Sequence, residues 1–278
     1  MGSSRRRLNN AEGIVALRMT RHRVRPYVDP LGLAARYEPV LRSLPWGDVD
    51  LRNEDLTVVA EGRLRVVYAP FDLIRPAARL VLVGLTPGAY QARLAIGAAR
   101  DAYAAGADRL GAQRAAKATA SFAGPLRSNL TAMLDAIGIP AALGLTSSAG
   151  LFDGAGGLVH TTSALRYAVY RDGRNYSGSP SPTRTAILAD FLTGLLAPEL
   201  AAVPDALVIP LGERVTACLG WLAGQNLLDA SRVLHGFPHP SGANGHRVAD
   251  FATQRRRMTM GVRAWFRPSE PRPQLARQ

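Results

Sequence analysis

The chain has 278 residues, 47% of them hydrophobic, and carries 34 Lys and Arg against 21 Asp and Glu for a formal charge of +13. That apolar content suffices for one large domain, while no long uncharged apolar run is present and none follows the basic cluster Arg5-Arg6-Arg7, so a membrane span and a secretory signal are not expected. The expectation is a cytoplasmic protein. One cysteine, Cys218, excludes an intrachain disulfide and a four-cysteine metal cluster, and it reads as a small buried residue.

Residues 1–50 hold arginines and scattered prolines with little periodicity, which predicts a basic, partly ordered arm. Leu56 to Ala60 and Arg63 to Tyr68 alternate around Glu61-Gly62, the pattern of an N-terminal hairpin. Four short apolar runs then read as strands covered on both faces: 79–83, 157–160, 205–209 and 232–237. Between and after them, helical patterns fall at 89–105, 129–137, 184–196, 213–225 and 246–264. Residues 171–183, rich in Gly, Ser and Pro, predict a long surface loop, and 267–278 a disordered tail. The alternation predicts an α/β fold with a central four-stranded, mainly parallel sheet flanked by helices, in a domain spanning 51–266.

Ligands of open α/β sheets sit outside the carboxyl ends of the strands. Two short words fall there, Gly84-Leu85-Thr86-Pro87-Gly88 after the first run and His239-Pro240-Ser241-Gly242-Ala243-Asn244 after the last. A third stretch, Ser121-Phe122-Ala123-Gly124-Pro125, precedes a helical pattern. In this order and on these elements, the three words resemble the motifs of the uracil-DNA glycosylase superfamily, over about residues 79 to 250. The resemblance implies a three-layer sandwich and an enzyme that hydrolyses the N-glycosidic bond of uracil or another deaminated or damaged base in DNA, single- or double-stranded. It implies a monomer that needs no cofactor and no metal.

The roles follow residue by residue. Thr86 stands where active members orient the attacking water, and His239 where a donor stabilises the leaving base. Phe122 matches the ring that stacks on a flipped base, although a core phenylalanine would look the same in sequence. Gly84, Leu85 and Gly88 would supply backbone around the base edge, Ser163 would meet it from the second run, and Tyr90 would close a wall or begin a helix core. Ser241, Gly242, Asn244 and Arg247 would contact a DNA phosphate, or simply make a turn.

Two departures from the family pattern stand out. Thr86 replaces a residue that is commonly Asp or Asn, leaving Asp101, Asp153, Asp172 and Asp250 as candidate carboxylates; Ser163 replaces an Asn that reads uracil in one branch. These departures keep open a catalytically weak or inactive member that binds DNA, a nucleobase or a nucleotide. A protein acting on free nucleosides is a third class. The charge favours a nucleic acid partner, although an arginine content with Lys117 as the only lysine also fits a GC-rich genome.

Overall fold

The computed structural model describes residues 32–153 and 157–267. Residues 1–31 of the expected arm, with its runs Arg5 to Arg7 and Arg21 to Arg25, lie outside the described residues, as does the tail from 268.

Residues 32–50 are not an arm. Helix α1 (Gly32–Ser43) buries Ala34, Tyr37 and Leu41, and the Tyr37 ring stacks on Tyr68 at 4.3 Å while its hydroxyl donates to the Thr57 carbonyl at 2.8 Å. Pro39 and four charged or polar positions blur the periodicity in sequence, but two rings and a leucine are enough to anchor the helix on the core.

Two sheets form the frame. The first is antiparallel, in the order β1 (Thr57–Glu61), β2 (Leu64–Val67), β5 (Ala168–Arg171), β6 (Arg174–Asn175). Its β1–β2 hairpin turns at Gly62, which holds φ +56°. The second is parallel, in the order β4 (Val159–Ser163), β3 (Leu80–Gly84), β7 (Leu207–Pro210). Alternate residues of β3 and β7 serve two cores. Leu80, Leu82, Leu207 and Ile209 face a cluster with α4 (Pro125–Ala136), α5 (Ile139–Leu143) and α9 (Arg247–Trp265). Val81, Val83 and Val208 face a larger one with α2 (Ala89–Ala104), α3 (Arg109–Ala120) and α8 (Glu213–Gly224). Burial on both faces is why these strands read as continuous apolar runs. Helix α6 (Ala186–Phe191) passes through a π turn, Leu192–Leu196, into α7 (Ala197–Ala201), which joins the same core.

Three features correct the sequence reading. The parallel sheet has three laddered strands rather than four. The 232–237 run makes one parallel bridge, Val233 to Val208, and the Leu234 N–H reaches the Val208 carbonyl at 2.9 Å. A 3-10 turn at Ala230–Arg232 precedes it, and Gly236 at φ +95° bends it away from the extended form a ladder needs. Arg232 in that segment is buried, its guanidinium donating to the carbonyls of Ala206, Leu200 and Val203.

The expected loop at 171–183 opens as a hairpin, since Asp172 and Gly173 hold φ +52° and +72° between β5 and β6. Asp-Gly with both φ angles positive is the two-residue turn whose twist matches paired strands. Helix α3, the third feature, had no counterpart in the sequence reading. It buries the narrow stripe Ala112, Gln113, Ala116, Lys117 and Ala120 against the rest of the core.

Candidate functional site

The carboxyl ends of β3, β4 and β7 open into a cleft of about 1760 Å³, larger than the ~300–1,000 Å³ of an ordinary small-molecule pocket. Both motif turns line it, together with Phe122. Gly84, Leu85, Thr86, Gly88 and Tyr90 come from the end of β3 and the start of α2, Ser163 from the end of β4, and His239, Ser241, Gly242 and Asn244 from the turn before α9. Arg247 does not line it; its guanidinium instead donates to the Pro240 carbonyl at 3.1 Å.

Gly84, Phe122 and Ser163 meet at the end of the parallel sheet. A Cβ on Gly84 would stand 3.2 Å from Phe122 Cε1 and 3.3 Å from Ser163 Oγ, so glycine is what lets the ring close on the strand ends. Phe122 is held at φ +52°, a conformation unusual for a bulky side chain and one that clusters at functional sites. Its neighbours fix it: Ser121 Oγ hydrogen-bonds Thr161 Oγ1 at 2.9 Å, and the Arg127 guanidinium gathers the carbonyls of Ala118, Thr119 and Ser121. Tyr90 is 56% exposed and stands at the rim, with Gly124 close beside its ring.

Thr86 ties the two sheets together. Its hydroxyl donates to the Tyr167 carbonyl at 2.8 Å and accepts from the Val169 N–H at 3.0 Å, which engages its only proton where the chain passes from β4 into β5. A hydroxyl so placed holds the turn and is poorly suited to orient a water molecule.

His239 is seated by backbone. Gly212, at φ +97° before α8, brings its Cα so close that an added Cβ would lie 3.0 Å from the His239 Cβ. The Ser241 N–H donates to His239 Nδ1 at 3.2 Å, and burial lowers the imidazole pKa. A neutral ring whose Nδ1 accepts a hydrogen bond carries its proton on Nε2. Asn244 Nδ2 reaches the His239 carbonyl at 3.3 Å, while Asn129 Nδ2 donates to the Pro240 carbonyl at 3.0 Å, so the turn is held from within and from α4.

With this geometry in place, comparison with known proteins gives one curated relative: "Uncharacterized protein YoxB" of Bacillus subtilis (strain 168), 35% identical over 219 residues, covering 78% of this chain and 86% of the relative. The chain belongs to the YoxB family. No family model matches it, and no solved structure matches it.

Several cleft residues of this YoxB-family protein had no place in the sequence reading. Gln91 and Asn175 flank Gly88, and Glu213 and Arg214 stand at the exposed rim; Arg257, which also lines the cleft, belongs to the basic run Arg255-Arg256-Arg257 that the sequence displays. Of the candidate carboxylates Asp250 alone lines the cleft, whereas Asp101 pairs with Arg100 and Asp172 with Arg63 on the hairpins. Gln91 follows the first motif closely enough to have been singled out. Asn175 gave no local signal, because a β-hairpin and not proximity in sequence delivers it.

Beneath the cleft lies a second polar group, fully buried. Glu199 accepts from Arg166 Nε at 3.0 Å and Nη2 at 2.7 Å, and from His160 Nε2 at 2.8 Å. Asp72 takes hydrogen bonds from Tyr68, Tyr167 and Gln113, with Arg166 Nη1 3.8 Å away. Lys117 donates to the carbonyls of Leu73 and Thr161. Burial brings its pKa down to about 8 and that of His160 down to about 4. Cys218 is buried as expected, its thiol pushed up to about 11 by desolvation. Among the described residues, no three His, Cys, Asp or Glu side chains gather as a metal site, and no helix is long and apolar enough to cross a membrane.

Proposed function

We propose that this protein is a DNA glycosylase of the uracil-DNA glycosylase type, a three-layer sandwich acting as a cytoplasmic monomer that removes uracil or another deaminated or damaged base from DNA. One observation carries the reading. His239, neutral with its proton on Nε2, shares a cleft with Phe122 and the glycine-lined end of β3.

Cleavage of an N-glycosidic bond leaves an oxocarbenium-like sugar and a base bearing negative charge. A donor fixed before the charge develops stabilises it without reorganisation, and a neutral donor does so without an ion pair to the ground-state base. The His239 Nε2–H is such a donor, aimed by Ser241, Gly212 and Asn129. Phe122 offers the face on which a flipped base stacks. The cleft exceeds the needs of one base, leaving room for the flanking strand, and Arg214 and Arg257 at its rim suit a phosphate backbone. Glu213 and Asp250 are the Asp and Glu residues that line it, and their charge suits a cationic sugar. Thr86 is here a positioning residue.

A second reading rests on the engaged hydroxyl of Thr86. With no carboxylate in the first motif, the same cleft would bind a flipped or free base without releasing it.

The deciding experiment scores abasic sites formed by the purified protein on oligonucleotides bearing uracil, hypoxanthine or xanthine. Base release that falls about 100- to 1,000-fold in His239→Ala, and only a few-fold in Thr86→Val, is the expected result. Salt-sensitive DNA binding with no abasic sites on any substrate would leave the binding reading in its place.

A further inference from the structure

Gln91 and Asn175 are two side-chain amides at one point of the cleft wall, and neither is free to choose its orientation. Gln91 Nε2 donates to the Ala123 carbonyl at 3.2 Å. A carbonyl only accepts, so the nitrogen must face it and Oε1 must point the other way. Asn175 Oδ1 accepts the Ala89 N–H at 3.0 Å, which fixes its Nδ2 outward by the same logic. The two outward atoms converge on Gly88: a Cβ there would lie 2.9 Å from Gln91 Oε1 and 3.7 Å from Asn175 Nδ2. Both residues line the cleft. The wall therefore brings an acceptor and a donor to the same glycine, which has no side chain to cover them, next to the turn that carries Phe122.

We propose that this amide pair reads the lactam edge of a base, the adjacent ring C=O and N–H that deamination creates. The carbonyl accepts from Asn175 Nδ2 and the ring N–H donates to Gln91 Oε1. Uracil, hypoxanthine and xanthine carry that edge, as do thymine and guanine, so the pair separates deaminated cytosine and adenine from their parent bases. Cytosine and adenine carry the reverse, an exocyclic NH₂ beside a bare ring nitrogen, and would set donor against donor and acceptor against acceptor. An amide without such a bond would rotate to suit either edge, but rotation here breaks a backbone hydrogen bond, so the discrimination is built in. The pair supplies the base reading for which Ser163, with a single hydroxyl, is ill equipped. The inference rests on the base-binding reading of the cleft and adds its specificity.

Calorimetric titration of the full chain with free uracil, hypoxanthine, cytosine and adenine tests it without requiring cleavage. The two lactam bases are expected to bind at least about tenfold tighter than the two amino bases, the equivalent of one hydrogen bond left unmade. Asn175→Asp keeps the oxygen that caps α2 and removes only the outward donor, so it should erase or reverse the preference with an unchanged melting temperature. Gln91→Met, which removes the acceptor at similar length, should weaken uracil and hypoxanthine selectively. Equal binding of all four bases, no measurable binding of any, or a preference that survives both variants overturns the proposal. Failure of base release in the oligonucleotide assay would count against catalysis alone, because lactam selectivity is read here from binding.

Discussion

The buried group around Glu199 and the cleft around His239 each hold a histidine kept neutral by burial, yet they do opposite work. His160 is fully buried and donates a hydrogen bond from Nε2–H to the Glu199 carboxylate. His239 receives a backbone N–H on Nδ1 and has its Nε2–H left over, in a residue that lines the cleft. In the first region nearly every charge is matched: Glu199 by Arg166, Asp72 by two tyrosines and a glutamine. In the second, donors and acceptors remain to be used. Among the described residues the most perturbed groups thus sit in the buried cluster, and the cleft histidine is distinguished by an unmatched proton rather than by the size of its shift.

Breaking the buried group should produce the largest effect on stability. Glu199→Gln removes the charge that compensates Arg166, 3% exposed, and sets an amide N–H₂ against the donors of Arg166 or His160. Loss of one partner from a buried pair costs about 3–5 kcal/mol, which urea denaturation would report as a sharply lowered midpoint. The same contrast has a pH signature. His160 has a pKa of about 4 in the fold, chiefly from burial and then from the nearby Lys117 charge, against about 6.5 when unfolded. Between those values the unfolded chain binds a proton that the folded chain refuses, so the His160 contribution to stability is full above pH 6.5 and is lost as the pH drops toward 4, by up to about 3 kcal/mol. His160→Asn should flatten that part of the profile, whereas His239→Ala should leave most of it.

Gly212→Ala sharpens the comparison from the other side. The alanine must adopt φ +97°, and its methyl would meet the His239 Cβ at 3.0 Å and the His239 nitrogen at 3.4 Å. Backbone strain and overpacking together cost about 2–4 kcal/mol. Because the displaced neighbour is the histidine to which the proposed function assigns the leaving base, base release or base binding should fall by more than the melting temperature suggests. Gly224→Ala, on the same helix and with nothing within 4 Å of the new methyl, provides the control.

Local chemistry was legible in the sequence, and long-range engagement was not. Strands β3 and β7 are short, apolar and buried on both faces, and they overlap the apolar runs 79–83 and 205–209, whereas β4 begins in the 157–160 run and continues through the polar residues Thr161 to Ser163. The 232–237 run has the same composition but the wrong backbone, because Gly236 must turn to bring Pro238 and His239 to the cleft. Helix α3 escaped notice because its buried stripe is alanine with one glutamine and one lysine. Its N-cap, Asp108 accepting from the Gly111 N–H at 2.7 Å, was the signal available. At the site, the motifs found the cleft since each is a few residues long and adjacent to a strand end. They could not show that Thr86 bonds to residues 81 and 83 positions away, or that the Asp172-Gly173 turn delivers Asn175 to Gly88.

The smallest effect concerns the Pro240 carbonyl, which accepts from both Asn129 at 3.0 Å and Arg247 at 3.1 Å. Either donor alone keeps that oxygen satisfied, so Asn129→Ala should cost about 1 kcal/mol, the net worth of one hydrogen bond. Removing both leaves a carbonyl of a buried proline without a partner at the base of the His239 turn. The double variant should therefore lose more than the sum of the two single ones, a coupling that a double-mutant cycle measures directly. If Arg247 were instead a DNA phosphate contact alone, Arg247→Ala would weaken DNA binding and its salt dependence while adding independently to Asn129→Ala in stability. Coupling in stability, with the salt slope unchanged, marks the arginine as a support of the histidine turn.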